Sequence, residues 1–514
     1  MGGRLPARAR CRGRRSRRPA RGDQAAGGDS TRKRPAVAQW LSRERRPHQH
    51  APGNDVTSAI GAEQTSVFPR FLDLAYPSIE RGEGVWLFTA DGRKILDACS
   101  GGAMVSCLGY GVQDVIEAAA SQANAIAYYY NHHFTNRPQE QLAERLVNVV
   151  APEMARVKFT SGGSEANEAA IRLARAYHVE RGQPQRWRVI SPAQAYHGST
   201  FGTLALSGRR HSLQQPYEDY LPESFHLSPA TPRFDPTGET ALGELDRIVE
   251  KVGADSISAF FCEPVSAAAL PAYSPPPGFW EGLKKRAQRH GFLICFDEIV
   301  SGMGRVGSWL AAHELPIEPD IVTIGKGLGA GYAPLAAVLC REHVFDAIAQ
   351  GSREFDLGHT WDGAPLPCAV GLAVLDVIQR RGLVDRVRER GPRLLDELRA
   401  ALKGSSIVGE VRGRGFLLGV ELVDPRDGSS FLPRELDAAS RVDDTAFDLG
   451  LLVSSTQSTP DGYAGDEVLI APAYTSSDAE LGLMVERFAA TIASVERTVI
   501  HELGRQPVAA APGA

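Results

Sequence analysis

Phe292-Leu-Ile-Cys-Phe-Asp297-Glu-Ile and, further on, Asp320-Ile-Val-Thr-Ile-Gly-Lys326-Gly decide how this chain is read. Each contains an apolar run too short for a helix and rich in β-branched or aromatic residues. Each therefore predicts a buried β-strand. Each run ends in one reactive group: a carboxylate on Asp297 and an amine on Lys326. In an open parallel sheet, ligands bind just beyond the carboxyl ends of the strands. The two side chains are expected to face one crevice.

Further short apolar runs surround this pair: Val157-Lys-Phe, Trp187-Arg-Val-Ile and Ile257-Ser-Ala-Phe-Phe. From about Val112 onward they alternate with helical patterns. That alternation predicts a mainly parallel sheet with helices on both faces. Upstream, Val85-Trp-Leu-Phe, the turn Asp91-Gly92 and Lys94-Ile-Leu-Asp-Ala predict a hairpin. Near Leu383 the pattern changes. A long helical stretch leads to strands at Ile407-Val-Gly-Glu-Val and Phe416-Leu-Leu-Gly-Val-Glu-Leu. Ser477-Asp-Ala-Glu480 then opens a final helix as a capping box. The expected fold class is α/β. A large domain spans residues 121–382, its mostly parallel sheet covered by helices. A smaller α+β domain is assembled from residues 65–120 and 383–504.

Residues 1–64 differ from the rest. Arg12, Arg14, Arg15, Arg17, Arg18 and Arg21 crowd a segment with few acids and few large apolar residues. Such a segment cannot bury enough surface to offset its ordering entropy, so disorder is expected there and in residues 505–514. An Arg-rich, acid-poor start resembles an organelle transit peptide but lacks the amphipathic apolar stripe, and a solvated tail is the reading adopted. The net charge of −4 gives no reason to expect nucleic acid or a membrane as a partner. No apolar run approaches a membrane span. The seven cysteines are scattered without a C-x-x-C pair. Reduced thiols in a cytoplasmic protein are expected, and no metal site is read.

Phe159-Thr-Ser161-Gly162-Gly163-Ser164-Glu165-Ala166-Asn167 predicts a strand-to-helix junction. Ala166, Ala169, Ala170, Leu173, Ala174 and Tyr177 follow on one helical face. The glycines let the backbone approach a ligand, and the helix start offers free N–H groups and the positive end of the dipole. A phosphate fits there. The segment is not a Walker loop, because no Gly-Lys-Ser/Thr follows. A phosphate cradle joined to a carboxylate and an amine is the set that pyridoxal phosphate requires. The lysine forms the Schiff base, and the aspartate keeps the pyridinium nitrogen protonated.

Ser161-Gly-Gly-Ser-Glu-Ala-Asn-Glu, Tyr196-His-Gly, Glu263-Pro-Val, Asp297-Glu-Ile with Gly302-Met-Gly-Arg305-Val-Gly, Gly325-Lys326-Gly and Gly358-His-Thr360-Trp together resemble the class III (omega-amino) aminotransferases. The resemblance runs from about Val67 to Leu503. It implies the pyridoxal-phosphate-dependent transferase fold of type I. It also implies roles. Lys326 and Asp297 would be catalytic. Gly163 and Ser164 would bind the cofactor phosphate. Tyr196 would stack on one face of the ring with His197 also in the cofactor site, and Val300 would pack on the other face. Thr360 would reach the phosphate of the neighbouring subunit, making the working unit a homodimer with shared sites. The implied reaction moves an amino group from a primary amine or omega-amino acid to a 2-oxo acid. Glu263 is expected near the cofactor without a defined role. Arg305 is equally suited to holding its loop and to touching substrate.

The chain departs from that family pattern in one place. Many members carry a late arginine, ahead of a Pro-Pro-Leu strand end, that holds the substrate carboxylate. Here no Arg or Lys occurs from Leu451 through Leu483, and Ala473 replaces the second proline. A bidentate guanidinium is a specific device that hydroxyls do not replace. Two alternatives stand beside transamination: the same fold running aminomutase, racemase or decarboxylase chemistry, and a non-catalytic binding protein with a nucleic-acid-binding basic tail.

Overall fold

In the computed structural model, residues 59–207, 215–231, 235–457 and 465–504 are described. They belong to one unit, His50–Ala514, while the unit Met1–Gln49 lies outside the described residues. A seven-stranded sheet runs, from edge to edge, Arg156–Thr160, Ala336–Cys340, Ile321–Ile324, Leu293–Glu298, Ile257–Cys262, Arg188–Pro192 and Phe225–Leu227. Six strands share one direction and only Ala336–Cys340 opposes them.

The continuous apolar runs have a direct cause: both faces of this sheet are covered. Ile257–Cys262 and Leu293–Glu298 are buried at every residue. Alternate side chains go to opposite faces. Phe260, Cys262, Ile294 and Phe296 pack with Leu245, Trp280 and Leu283 on one side. Ala259, Phe261, Leu293 and Cys295 pack with Ala169, Ala170, Leu173 and Ala174 on the other. Each buried Phe or Ile contributes about 1.5–3 kcal/mol relative to exposure. The same alternation places Asp297 on the face covered by the helix Gly163–Glu180. It places Glu298 on the opposite face. There Glu298 accepts hydrogen bonds from Ser301 Oγ and from the amides of Ala311 and Ala312, and pins the intervening loop.

Two smaller sheets flank this core. Ile79–Glu83, Trp86–Thr89 and Lys94–Asp97 form an antiparallel meander, closed by Leu451–Leu452 running parallel to Lys94–Asp97. Segments from both ends of the chain therefore share one sheet. Val408–Arg414, Leu417–Leu422, Asp466–Ile470 and Ser454–Thr456 form an antiparallel second sheet. The last helix, Asp478–Leu503, starts on the capping box read from the sequence, with Ser477 and Glu480 bonding each other's amides.

The expected disordered stretch needs a correction at its end. Ala59–Ile60 pairs antiparallel with Tyr76–Pro77, and Ala62–Gln64 forms a 3₁₀ turn. Backbone pairing there outweighs the polar composition of the segment. The rest of that expectation, residues 1–58, and the tail 505–514 lie outside the described residues.

Arg305 ties the large sheet to the small ones. It is fully buried, and its guanidinium donates to the carbonyls of Phe416 (3.2 Å) and Pro472 (2.6 Å) and to Ser100 Oγ (3.0 Å). It also lies over the Tyr474 ring at 4.7 Å. The residue therefore holds its loop.

Candidate active site

Asp297 and Lys326 stand at the ends of neighbouring parallel strands. The register pairs Asp297 with Thr323 and Glu298 with Ile324, so Lys326 emerges one turn beyond the same sheet edge. Thr160, the last residue of the strand that feeds the helix Gly163–Glu180, lies at that edge too, opposite Ala336. The register thus puts Asp297, the segment leading to Lys326 and Thr160 at the same edge of the sheet. Lys326 has φ +39, a left-handed conformation that non-glycine residues rarely adopt. Such local strain is concentrated at functional positions.

Asp297 is held from three sides in a site that leaves it 4% exposed. Its Oδ2 accepts from Asn167 Nδ2 (2.7 Å) and lies 2.9 Å from His197 Nδ1, and its Oδ1 accepts from the Ile299 amide (3.0 Å). Asn167 is itself oriented. Its Oδ1 accepts from Thr323 Oγ1 at 2.6 Å, and its Nδ2 also donates to the His197 carbonyl at 2.7 Å. Both ends of the Asn167 amide are thereby hydrogen-bonded, which fixes its orientation. The sequence alone gives Asn167 no role. Its signal was there: it shares a buried helix face with Ala170 and Ala174, and a polar residue on an apolar face needs partners.

The Tyr196-His197-Gly198 loop is fastened above this network. His197 packs edge-on against Phe261, with ring centroids 4.9 Å apart. Gly198 has φ +138, and a Cβ there would meet Ser164 Oγ and Thr203 Oγ1 at 2.6 Å, so only glycine lets the loop lie on the phosphate helix. Glu263, at the end of the next strand, accepts from the amides of Tyr196 and Ala267 and from Ser266 Oγ, each at 3.2 Å. Burial raises its pKa. Its position gives Glu263 a definite task, holding the loop that carries Tyr196. The Tyr196 ring is 37% exposed at the crevice.

The helix Gly163–Glu180 has Gly162 at its N-cap and no capping side chain, so its first-turn N–H groups remain for an anion. Ser164 Oγ accepts from the Ser199 amide at 3.1 Å. A Cβ on Gly163 would lie 3.1 Å from Ile299 Cγ2, and one on Gly325 would lie 3.0 Å from Ile299 Cδ1. Ile299 therefore fills the floor between the cradle and the lysine loop. Val300, expected against a face of the cofactor ring, packs with the apolar cluster of Met104, Val265, Ala267, Leu469 and Ala471. Thr360 is exposed, in a loop next to the cradle.

Comparison with known proteins decides what this arrangement is. The family Aminotransferase class-III matches residues 72–492. The chain belongs to the class III aminotransferases. It is 35% identical over 436 residues to the uncharacterized aminotransferase YodT of Bacillus subtilis, covering 83% of this chain and 97% of that protein. It is 32% identical over 445 residues to gamma aminobutyrate transaminase 2 of Solanum lycopersicum, covering 83% and 94%. Among solved structures, an amine transaminase from an uncultivated Pseudomonas species in its PLP-bound form superposes with a TM-score of 0.76 at 32% identity, covering 84% of this chain and 97% of that one.

This class III aminotransferase has the type I fold and uses pyridoxal phosphate. Its donor set fits that cofactor: an uncapped helix start for a phosphate, a triply held carboxylate for a pyridinium nitrogen, and a lysine just beyond the adjoining strand. Among the described residues no group of side chains could hold a metal ion, and no helix is long and apolar enough to cross a membrane.

Proposed function

We propose that the enzyme transfers the amino group of a primary amine without a carboxylate clamp to a 2-oxo acid. The observation that carries this reading is the absence of Arg and Lys from Leu451 through Leu483, together with the engagement of two other arginines. Arg305 is consumed by the Phe416 and Pro472 carbonyls and Ser100. Arg412 is turned toward Glu410, Glu467 and the Pro271 carbonyl. The strand Asp466–Ile470 offers only Leu469 to the apolar cluster around Val300. The names of the relatives, a gamma aminobutyrate transaminase and an amine transaminase, bracket the candidates.

When bound, pyridoxal phosphate supplies an electron sink for the carbon that loses its proton. The chain supplies the rest. Lys326 Nζ takes and returns that proton. Asp297, fixed by Asn167 and His197, would set its carboxylate against the ring nitrogen. A carboxylate about 4 Å from a cation gains on the order of 4 kcal/mol at an effective dielectric near 20. Gly163 and Ser164 would hold the phosphate, Ile299 would support one ring face and Tyr196 would cover the other.

Two further readings belong to this proposal. The working unit is a homodimer, with Thr360 completing the partner's phosphate site. Tyr128 and Trp361 pack edge-on at 5.7 Å with both rings exposed, and Phe134 is exposed as well, an aromatic surface suited to burial against a second copy. The enzyme works in the cytoplasm, a reading supported by six free, buried cysteines among the described residues.

A donor panel with pyruvate and with 2-oxoglutarate, read by alanine or glutamate formation, tests the substrate. A primary amine lacking a carboxylate should give a kcat/KM at least equal to that of 4-aminobutyrate. Activity confined to donors with a carboxylate would overturn the reading.

A further inference from the structure

The loop that carries Thr360 is fastened to this chain's own phosphate cradle. His359 Nε2 lies 2.9 Å from Glu165 Oε2, and the same oxygen accepts from the Ser161 amide at 2.8 Å. Glu165 stands in the first turn of the phosphate helix, directly after Ser164. The tautomer of His359 follows from its other nitrogen. The Trp361 amide donates to Nδ1 at 3.1 Å, so Nδ1 is the acceptor and Nε2 carries the hydrogen given to Glu165. Burial works against ionisation of Glu165, but the bonds from His359 and Ser161 outweigh it and its pKa lies below the ordinary value. Beyond Thr360, Lys158 Nζ pairs with Asp362 at 2.7 Å from the strand that feeds the cradle. Asn136 Nδ2 donates to the Gly363 carbonyl at 2.8 Å.

We infer that the His359–Glu165 pair links the two cofactor sites of the dimer. It ties the loop that completes the partner's phosphate site to the turn that cradles this chain's own phosphate. The inference rests on the shared-site dimer proposed above. Filling one cradle fixes the Ser161–Glu165 turn, Glu165 fixes His359, and His359 sets the Trp361 amide and with it Thr360. The neighbouring site is then already formed for its own phosphate. Coupling of this kind appears as positive cooperativity in binding. His359 and Glu165 are positioning residues, because they act through Thr360 and the cradle.

The test titrates the apoenzyme with pyridoxal phosphate, following absorbance, for the wild type, His359→Phe, His359→Gln and Thr360→Ala. Sedimentation reports the mass of each sample. The wild type should bind with a Hill coefficient above one. His359→Phe, still dimeric, should bind on the order of tenfold more weakly, for loss of one charge-assisted hydrogen bond, and with a Hill coefficient of one. His359→Gln, which keeps a donor for Glu165, should recover most of the affinity. Independent sites in the wild type, or wild-type binding by dimeric His359→Phe, would overturn the link. If Thr360→Ala weakens binding while His359→Phe does not, the link alone fails. If Thr360→Ala binds as the wild type does, the shared-site reading fails with it.

Discussion

Asn167 Nδ2 donates to Asp297 Oδ2 across 2.7 Å, joining the phosphate helix to the acid strand inside the core. The helix that would hold one end of the cofactor thereby also fixes the carboxylate at the other end. Removing the amide should be felt in both stability and turnover. Asn167→Ala strands the Thr323 hydroxyl and the His197 carbonyl and deprives Asp297 of one donor. A cost of about 1–3 kcal/mol in unfolding free energy is expected, with a fall in kcat on the order of tenfold. Denaturant titration and steady-state rates measure both.

Asp297→Asn keeps the shape of the site and removes its charge. The expected loss in kcat is on the order of 10³-fold, the equivalent of about 4 kcal/mol, while the cofactor remains bound. A variant with near wild-type kcat would show that the carboxylate is structural only.

Arg305→Lys tests the brace between the sheets. An ammonium cannot span the Phe416 and Pro472 carbonyls and Ser100 together. Destabilisation of about 3 kcal/mol is expected, visible as a lower Tm. If Arg305 instead bound substrate, KM would rise and Tm would stay.

Glu467 gives the fold a pH dependence. Glu410, Glu421 and Glu467 stand opposite one another across three strands, with Arg412 beside them. Burial raises the pKa of Glu467 from the ordinary 4.5 to about 7, Arg412 opposing the shift and Glu421 adding to it. Between those values the folded state holds a proton that the unfolded chain has released. Stability from this group is therefore full below pH 4.5 and lost as pH rises through 7. Glu467→Gln should flatten that decline in Tm between pH 5 and pH 8, and an unchanged slope would place its source elsewhere.

Much of this architecture is legible in the sequence, because the informative residues obey simple periods. Phe292 to Phe296 is apolar throughout and Ile321 to Ile324 is broken only by Thr323, as expected of strands covered on both faces, and the observed strands Leu293–Glu298 and Ile321–Ile324 follow them closely. The junction at Ser161–Gly163 and the capping box at Ser477 are local devices and are equally readable. What the sequence reading missed depends on three-dimensional alternation and distance. Ala336–Cys340 is alanine-rich and runs antiparallel, and Phe225–Leu227 is a three-residue edge strand, so neither carries a strong pattern. Ile299 and Val300 are neighbours of similar chemistry, and only the folded backbone shows that Ile299 meets Gly163 and Gly325. The tasks of Asn167, Glu263 and Arg305 lie in partners remote in the chain.

Lys326 is the residue expected to carry pyridoxal phosphate. Borohydride reduction of the holoenzyme, followed by peptide mass mapping, tests it directly. The reduced cofactor should appear on the Lys326 peptide, and Lys326→Ala should show no visible cofactor band. A label on another lysine, or a Lys326→Ala protein that keeps the band, would contradict it.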